Sequence, residues 1–281
     1  MLVRRPAAAQ FYPGDCARAA EGFLRGFSPP PQPAHPVAGI VPHAGWRYSG
    51  AVAAKVFESI RQKSSPETFV IFGAAHYWAG ESAVYARGAW ATPLGDVFIN
   101  EELAAKILNR CEGLLSDNIE AHEGEHAIEV QLPFVKYLFP DAKIVPISVR
   151  PDERSVVLGK CVAELLKEYP RSVAVIGSTD LTHYGEAYHF TPAGVGEQAQ
   201  RWQEENDARI VSLAEQMSAS EIVPEARRHH NACGPGAMAA TVAAAAASGA
   251  DRGYLLEYTT SFDIAPEPQF EMAVGYAGIL Y

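Results

Sequence analysis

Short runs of β-branched and aromatic residues recur along the chain, at 37–41, 69–72, 82–85, 143–149, 172–176, 254–260 and 273–279. Their length and composition are those of buried strands. Between them apolar side chains return with helical spacing, predicting helices over 16–25, 50–62, 101–109, 127–138, 153–168, 196–216 and 236–247. Such alternation predicts an α/β fold, a sheet flanked by helices on both faces. Ser49 is placed to cap the second helix and Asn100 the third, because their side chains accept the free amides of a first turn.

The organisation points to a single domain over 1–281. The sequence has no internal repeat and no Ser/Gly linker, and the one proline cluster, Pro29 to Pro33, reads as a connector from the first helix to the first strand. With 23 Lys+Arg against 33 Asp+Glu, the formal charge of −10 argues against a nucleic-acid partner, whose phosphates are bound by cations. Residues 237–250 are the best candidate for a membrane span, and they are too short and too rich in alanine. Arg4 and Arg5 lead into Pro6-Ala-Ala-Ala-Gln-Phe-Tyr-Pro13, which does not supply the apolar core of an export signal, so the chain is expected to start at Met1 and stay in the cytoplasm. Its cysteines, at 16, 111, 161 and 233, form no CxxC pair. In a reducing compartment Cys16, Cys111 and Cys161 are expected as packed thiols.

In open α/β sheets the carboxyl ends of the strands face a shared crevice, so chemistry is expected just beyond them. Three strands end in informative residues: His43 follows the first, His76 the second, and Asp180 with His183 the fifth. Imidazole is the commonest metal ligand near neutral pH, which makes His43 and His76 a candidate pair. Asp180 stands close enough in sequence to orient His183 for acid–base work, or to cap a turn there. Cys233 precedes Gly234 and Pro235 at the start of an alanine-rich helix, where backbone amides favour thiolate, the form of a ligand or nucleophile.

His122-Glu-Gly-Glu-His126 matches HExxH, in which a helix sets two zinc-binding imidazoles one turn apart. Gly124 inside the motif costs a helix about 1 kcal/mol relative to alanine, and the apolar helical pattern begins only at Ala127. His122 is therefore expected in a loop. Glu125, His126 and Glu129 are expected in a first helical turn, where acids suit the dipole.

An ordered set of motifs spans nearly the whole chain: Gln10-Phe-Tyr-Pro13, Pro42-His-Ala-Gly45 with Tyr48-Ser-Gly50, Gly73 to His76, Thr92 to Gly95, His122 with Glu125-His126, Glu129 to Phe134, Ser178 to Gly185, Cys233-Gly234 and Val274 to Ala277. This set resembles the Memo family, called AmmeMemoRadiSam system protein B in bacteria and archaea and related to the LigB-like class III extradiol dioxygenases. The resemblance implies a LigB-like α/β architecture with a metal site of His43, His76 and Cys233. His183 would match the acid–base histidine with Asp180 beside it, and His122 would be a further pocket histidine that meets substrate or oxygen. Tyr48 and Phe11 would line the pocket and bind substrate; Phe11 replaces a tryptophan found in some members. A radical-SAM protein and an AMMECR-type protein are the implied partners, but this chain has no CxxxCxxC signature of its own.

The ring-cleaving relatives hold iron with two histidines and a carboxylate, whereas Cys233 would put a softer thiolate in the third position. The expected function is a mononuclear non-haem iron(II), or copper, redox enzyme acting on a small reduced substrate. Two alternatives use the same pocket: a non-catalytic module that binds a peptide or sequesters metal, and a zinc-dependent hydrolase.

Overall fold

A computed structural model describes residues 2–30 and 33–281. Met1, and Pro31 and Gln32 of the proline connector, lie outside the described residues. From the N-terminus run β1 (Val3–Arg4), α1 (Cys16–Leu24), β2 (Ala38–Val41), α2 (Trp46–Arg61), β3 (Thr68–Ala74), β4 (Ser82–Val84), β5 (Ala89–Trp90), β6 (Val97–Phe98), α3 (Glu101–Arg110) and β7 (Leu115–Asp117). The central part holds α4 (Leu132–Leu138), β8 (Lys143–Val149), α5 (Arg154–Glu168), β9 (Val173–Ser178) and β10 (His183–Tyr184). The chain closes with α6 (Glu197–Glu215), α7 (Ala219–His229), α8 (Pro235–Ala247), β11 (Tyr254–Thr260), α9 (Ser261–Ile264) and β12 (Ala273–Leu280).

Nine of the described strands form one sheet in the order β10-β12-β2-β9-β3-β8-β4-β7, with β11 on β12, while β1, β5 and β6 make a small second sheet. The central strands β2, β9, β3 and β8 are parallel. They are almost wholly buried, as strands covered by helices on both faces must be. On one face α8 lies over them, backed by α5 and α7; on the other lies α2, backed by α1 and α4. This is the α/β arrangement that the sequence pattern predicts.

Helix α8 is apolar on every side because every side is covered: Pro235 to Ala245 are all buried. Alanine is small enough for α5 to approach backbone to backbone, and at the crossing a Cβ on Gly159 would run into the Ala240 carbonyl. No helix among the described residues is long and apolar enough to cross a membrane.

Three local expectations need correction. Helix α2 starts at Trp46, and its N-cap is Gly45. Ser49 therefore lies inside the first turn, where its hydroxyl donates to Ala44 O at 2.9 Å; Asn100 does cap α3, accepting from Leu103 N. The helix expected from Ala127 begins as a short 3₁₀ turn, Glu129–Gln131, before α4 proper. Cys111 and Cys161, expected as free thiols, are joined in a disulfide with Cα atoms 6.0 Å apart. The reason is spatial: Cys111 ends α3, Cys161 lies on α5, and these helices pack together. A separation of 50 residues hides that proximity in the sequence.

Candidate metal centre

Strands β2, β9 and β3 are neighbours with their carboxyl ends aligned, Val41 beside Ser178 and Ser178 beside Gly73. His43, Asp180 and His76 each lie two residues past the end of a strand, so the parallel register alone brings them together. Cys233 arrives from the other direction, just before α8. Gly234 lets that helix start come so close, since a Cβ there would stand 2.9 Å from Ser178 O and 3.0 Å from Ala74 Cβ.

The donor atoms of His43, His76 and Cys233 all lie within 4.8 Å of one another, and Cys233 Sγ is 3.2 Å from His43 Nε2. Donors placed tetrahedrally about one ion, at ordinary bond lengths, stand roughly 3.3–3.8 Å apart. The Cys233–His43 separation is close to that spacing, and the three residues form a group that could hold a metal ion.

The surrounding hydrogen bonds fix which nitrogen each ring presents. Ser178 Oγ donates its only proton to Ala127 O at 2.7 Å and accepts from Gln131 Nε2 at 3.2 Å. His43 Nδ1, 3.0 Å from the same oxygen, must then be the protonated nitrogen, leaving the Nε2 lone pair facing the sulfur. His76 Nδ1 donates to Glu125 Oε1 at 2.9 Å, which turns its Nε2 inward in the same way. These are the outer contacts that orient metal-binding histidines.

His76, Glu125 and His126 form a second possible donor group. Its carboxylate is already engaged: Oε1 accepts from His76 Nδ1 and the amides of His126 and Ala127, and Oε2 from the His76 amide. Both oxygens of Glu125 thus hold His76 and the turn that follows, an arrangement suited to orienting the His76 ring.

The electrostatics favour a positive centre. Burial, reinforced by the neighbouring histidines, holds His43 well below its ordinary value, so it is neutral and able to coordinate. Burial also opposes charge on His76, but hydrogen bonding to Cys233 and Glu125 prevails and raises it to about 10. Glu125 is held at about 2: burial is outweighed by its bonds to His76 and to backbone amides. Burial pushes the Cys233 thiol up, with His76 and the Asp180 amide opposing. A cation at the centre would take over the role of the His76 proton.

Beside the cluster is a cavity of about 480 Å³ whose lining includes Phe11, Tyr48, His126, Asp180 and His183. A second cavity, of about 450 Å³, shares His183 and Tyr188 with it and reaches Cys233. His183 Nδ1 donates to Leu181 O at 3.2 Å, leaving Nε2 unprotonated, and burial keeps the ring below its ordinary value. Asp180 lines the cavity but makes no hydrogen bond to His183; its Oδ1 accepts from the His43 amide at 2.6 Å and the Ala44 amide at 3.2 Å. It fixes the loop that carries His43. Burial raises its carboxyl to about 7.

His122 is not brought to this cavity. It lies in a 3₁₀ turn, fully buried between Tyr85 and Trp90, with Nε2 3.1 Å from Ala83 O. Gly124 takes a φ of 73° and breaks the HExxH segment into a turn, so no zincin helix forms, and the His126 ring lies toward the centre. The His126 ring lies 4.9 Å from that of His76 and 5.2 Å from that of His43. His122 does lie outside any α-helix, but Glu125 and His126, expected in a first helical turn, precede the 3₁₀ turn that begins at Glu129, and it is the motif's second histidine, not its first, that faces the cavity. Ser178, Gln131 and Glu125 also went unrecognised; Ser178 had a signal, since it ends the strand that leads to Asp180.

The Memo-like protein family model matches residues 4–280. A MEMO1 family protein of Thermococcus onnurineus is 38% identical, covering 100% of this chain and 99% of the relative. One from Pyrococcus furiosus is 36% identical with the same coverage. The crystal structure of an uncharacterised Escherichia coli K12 protein, JW3007, shares the fold with a TM-score of 0.52 at 12% identity, covering 87% of this chain and 99% of that one. On the strength of its full-length relatives and of the family match from Arg4 to Leu280, the chain belongs to the Memo-like protein family.

Proposed function

We infer that this protein is a metal-dependent oxidoreductase that holds one ion through His43 Nε2, His76 Nε2 and Cys233 Sγ and acts on a small reduced substrate in the adjoining cavity. The observation that carries this reading is the convergence of those three donors, each oriented from outside, at the strand ends beside an aromatic-walled space. Iron(II) is the ion of first choice and copper the next; when bound it would supply a redox centre with positions open to substrate and oxygen. His183 Nε2 accepts a proton from a substrate hydroxyl, and burial keeps it neutral for that task. His126 lines the same cavity and is likewise lowered by burial, so it stays neutral and offers a hydrogen bond where negative charge develops. Asp180 serves through position, by holding the His43 backbone.

The test is anaerobic loading with iron(II), followed by oxygen and a panel of catechols. Oxygen uptake that depends on a catechol and vanishes in His43→Ala supports the reading. Failure to bind iron, together with no uptake for any catechol, overturns it. The sulfur donor favours a second reading, zinc-dependent hydrolysis, because thiolate is a preferred zinc ligand. Zinc-stimulated ester hydrolysis without oxygen uptake would favour that alternative.

A further inference from the structure

The charges around the cavity narrow the chemical class of its occupant. Its walls carry the aromatic rings of Phe11, Tyr48, Tyr188, Phe262 and Tyr276. Its acidic members are the buried Asp180 and the exposed Glu267, which stands with exposed Met272 toward the outside. A neighbouring cavity of about 490 Å³ shares Glu267 and Met272 and adds Glu186 and Glu271. No lysine or arginine among the described residues lines this cavity, the neighbouring one or the one that reaches Cys233. The guanidinium of Arg47 lies 5.5 Å over the Tyr48 ring without lining the space.

Each feature acts in one direction. Aromatic faces attract cations through their quadrupole and repel anions. A carboxylate or phosphate on the ligand would lose water without meeting a cationic partner on the walls, and that desolvation is costly. A protonated amine would meet tyrosine faces and Glu267 instead.

We propose that the cavity selects aromatic rings bearing a protonated amine and discriminates against rings bearing a carboxylate, with Glu267 setting the preference. This rests on the reading of the cavity as the substrate site of a metal enzyme and adds the substrate's charge class to it. The reacting end of the ring is turned toward the histidines, and the amine toward the mouth.

The experiment is isothermal titration of the full chain, loaded with zinc to avoid turnover, against three catechols of similar size. Dopamine carries an amine, 3,4-dihydroxyphenylacetate a carboxylate, and 4-methylcatechol no charge. Dopamine is expected to bind about tenfold or more tighter than 3,4-dihydroxyphenylacetate. Glu267→Gln, an exposed position that the fold does not depend on, is expected to narrow that ratio about threefold while leaving 4-methylcatechol unchanged. Equal or reversed affinities for the two charged catechols overturn the proposal while leaving the oxidoreductase reading intact, provided that 4-methylcatechol binds. A ratio unmoved in Glu267→Gln removes Glu267 from it. If none of the three binds, the cavity is not a ring site, and the proposal falls together with the substrate part of that reading.

Discussion

Ser178 has one hydroxyl proton, and its donation to Ala127 O decides the tautomer of a histidine that Ser178 also touches. Removing that constraint by Ser178→Ala frees the His43 ring to rotate or to protonate the wrong nitrogen. Metal affinity is expected to fall about 10- to 100-fold, as it does when outer-shell partners are lost. Glu125→Gln should act similarly through His76. Competition titration with a chromogenic chelator measures both, and an unchanged affinity in either variant would remove that residue from the site. His122→Ala is the contrasting case. The ring is buried away from the cavity, so stability should drop while metal affinity stays unchanged. At this scale the sequence revealed His43, His76 and Cys233 because each is a chemically conspicuous residue at an element boundary. It did not separate His122 from His126, because a single positive-φ glycine between them decides which ring turns inward.

Among the elements, the N-terminal segment is the one whose role is set by one distant carboxylate. Glu129 Oε2 accepts from Arg4 Nη1 at 2.7 Å and the Ala7 amide at 2.8 Å, while Oε1 accepts from the Ala8 amide and the Tyr12 hydroxyl, both at 2.9 Å. Arg4 also donates to His122 O and Glu125 O. The segment is thereby strapped across the His122 to Glu129 stretch, bringing Phe11 within 4.8 Å of the His126 ring. Glu129→Gln leaves a buried guanidinium without its counter-charge, and denaturant unfolding is expected to show a loss of about 3–5 kcal/mol. A loss below about 1 kcal/mol would mean that the strap is marginal, as exposed ion pairs are. Nothing local in 1–15 announces this docking, whereas the seven apolar runs that became strands declared themselves through composition. The missed strands β1, β5, β6, β7 and β10 are two or three residues long, too short for any periodicity to show. Helix α7 was missed as well; it carries Pro224 in its interior, a residue that ordinarily argues against a helix.

Two properties belong to the molecule as a whole. Closing a loop of 50 residues, the Cys111–Cys161 bond is expected to stabilise the fold by about 2–4 kcal/mol. Reduction, or the double serine variant, should lower the melting temperature by several degrees without changing metal affinity; an unchanged melting temperature would show that the link contributes nothing. The second property is a pH dependence centred on Asp207, buried in the packing of α6 against β12. Burial raises its carboxyl from 3.8 to about 7 despite hydrogen bonds from the Thr182 amide and the Tyr258 hydroxyl. The folded state therefore binds this proton more tightly than the unfolded chain. Its contribution to stability is complete below the unfolded value and is lost as pH rises through about 7. Relative to Asp207→Asn, the protein should lose up to about 1.4 kcal/mol per pH unit across that window. Parallel stability curves would contradict this assignment.

Beneath these features lies one proposal: that the two strand-end imidazoles and the helix-start sulfur, which converge in the structure, hold a single ion. X-ray absorption at the zinc edge of the singly loaded protein tests it directly. The expected spectrum has one sulfur and two imidazole nitrogens around the ion, with the sulfur shell lost in Cys233→Ser. A nitrogen- and oxygen-only shell in the unaltered protein, or a sulfur shell that survives Cys233→Ser, would contradict it.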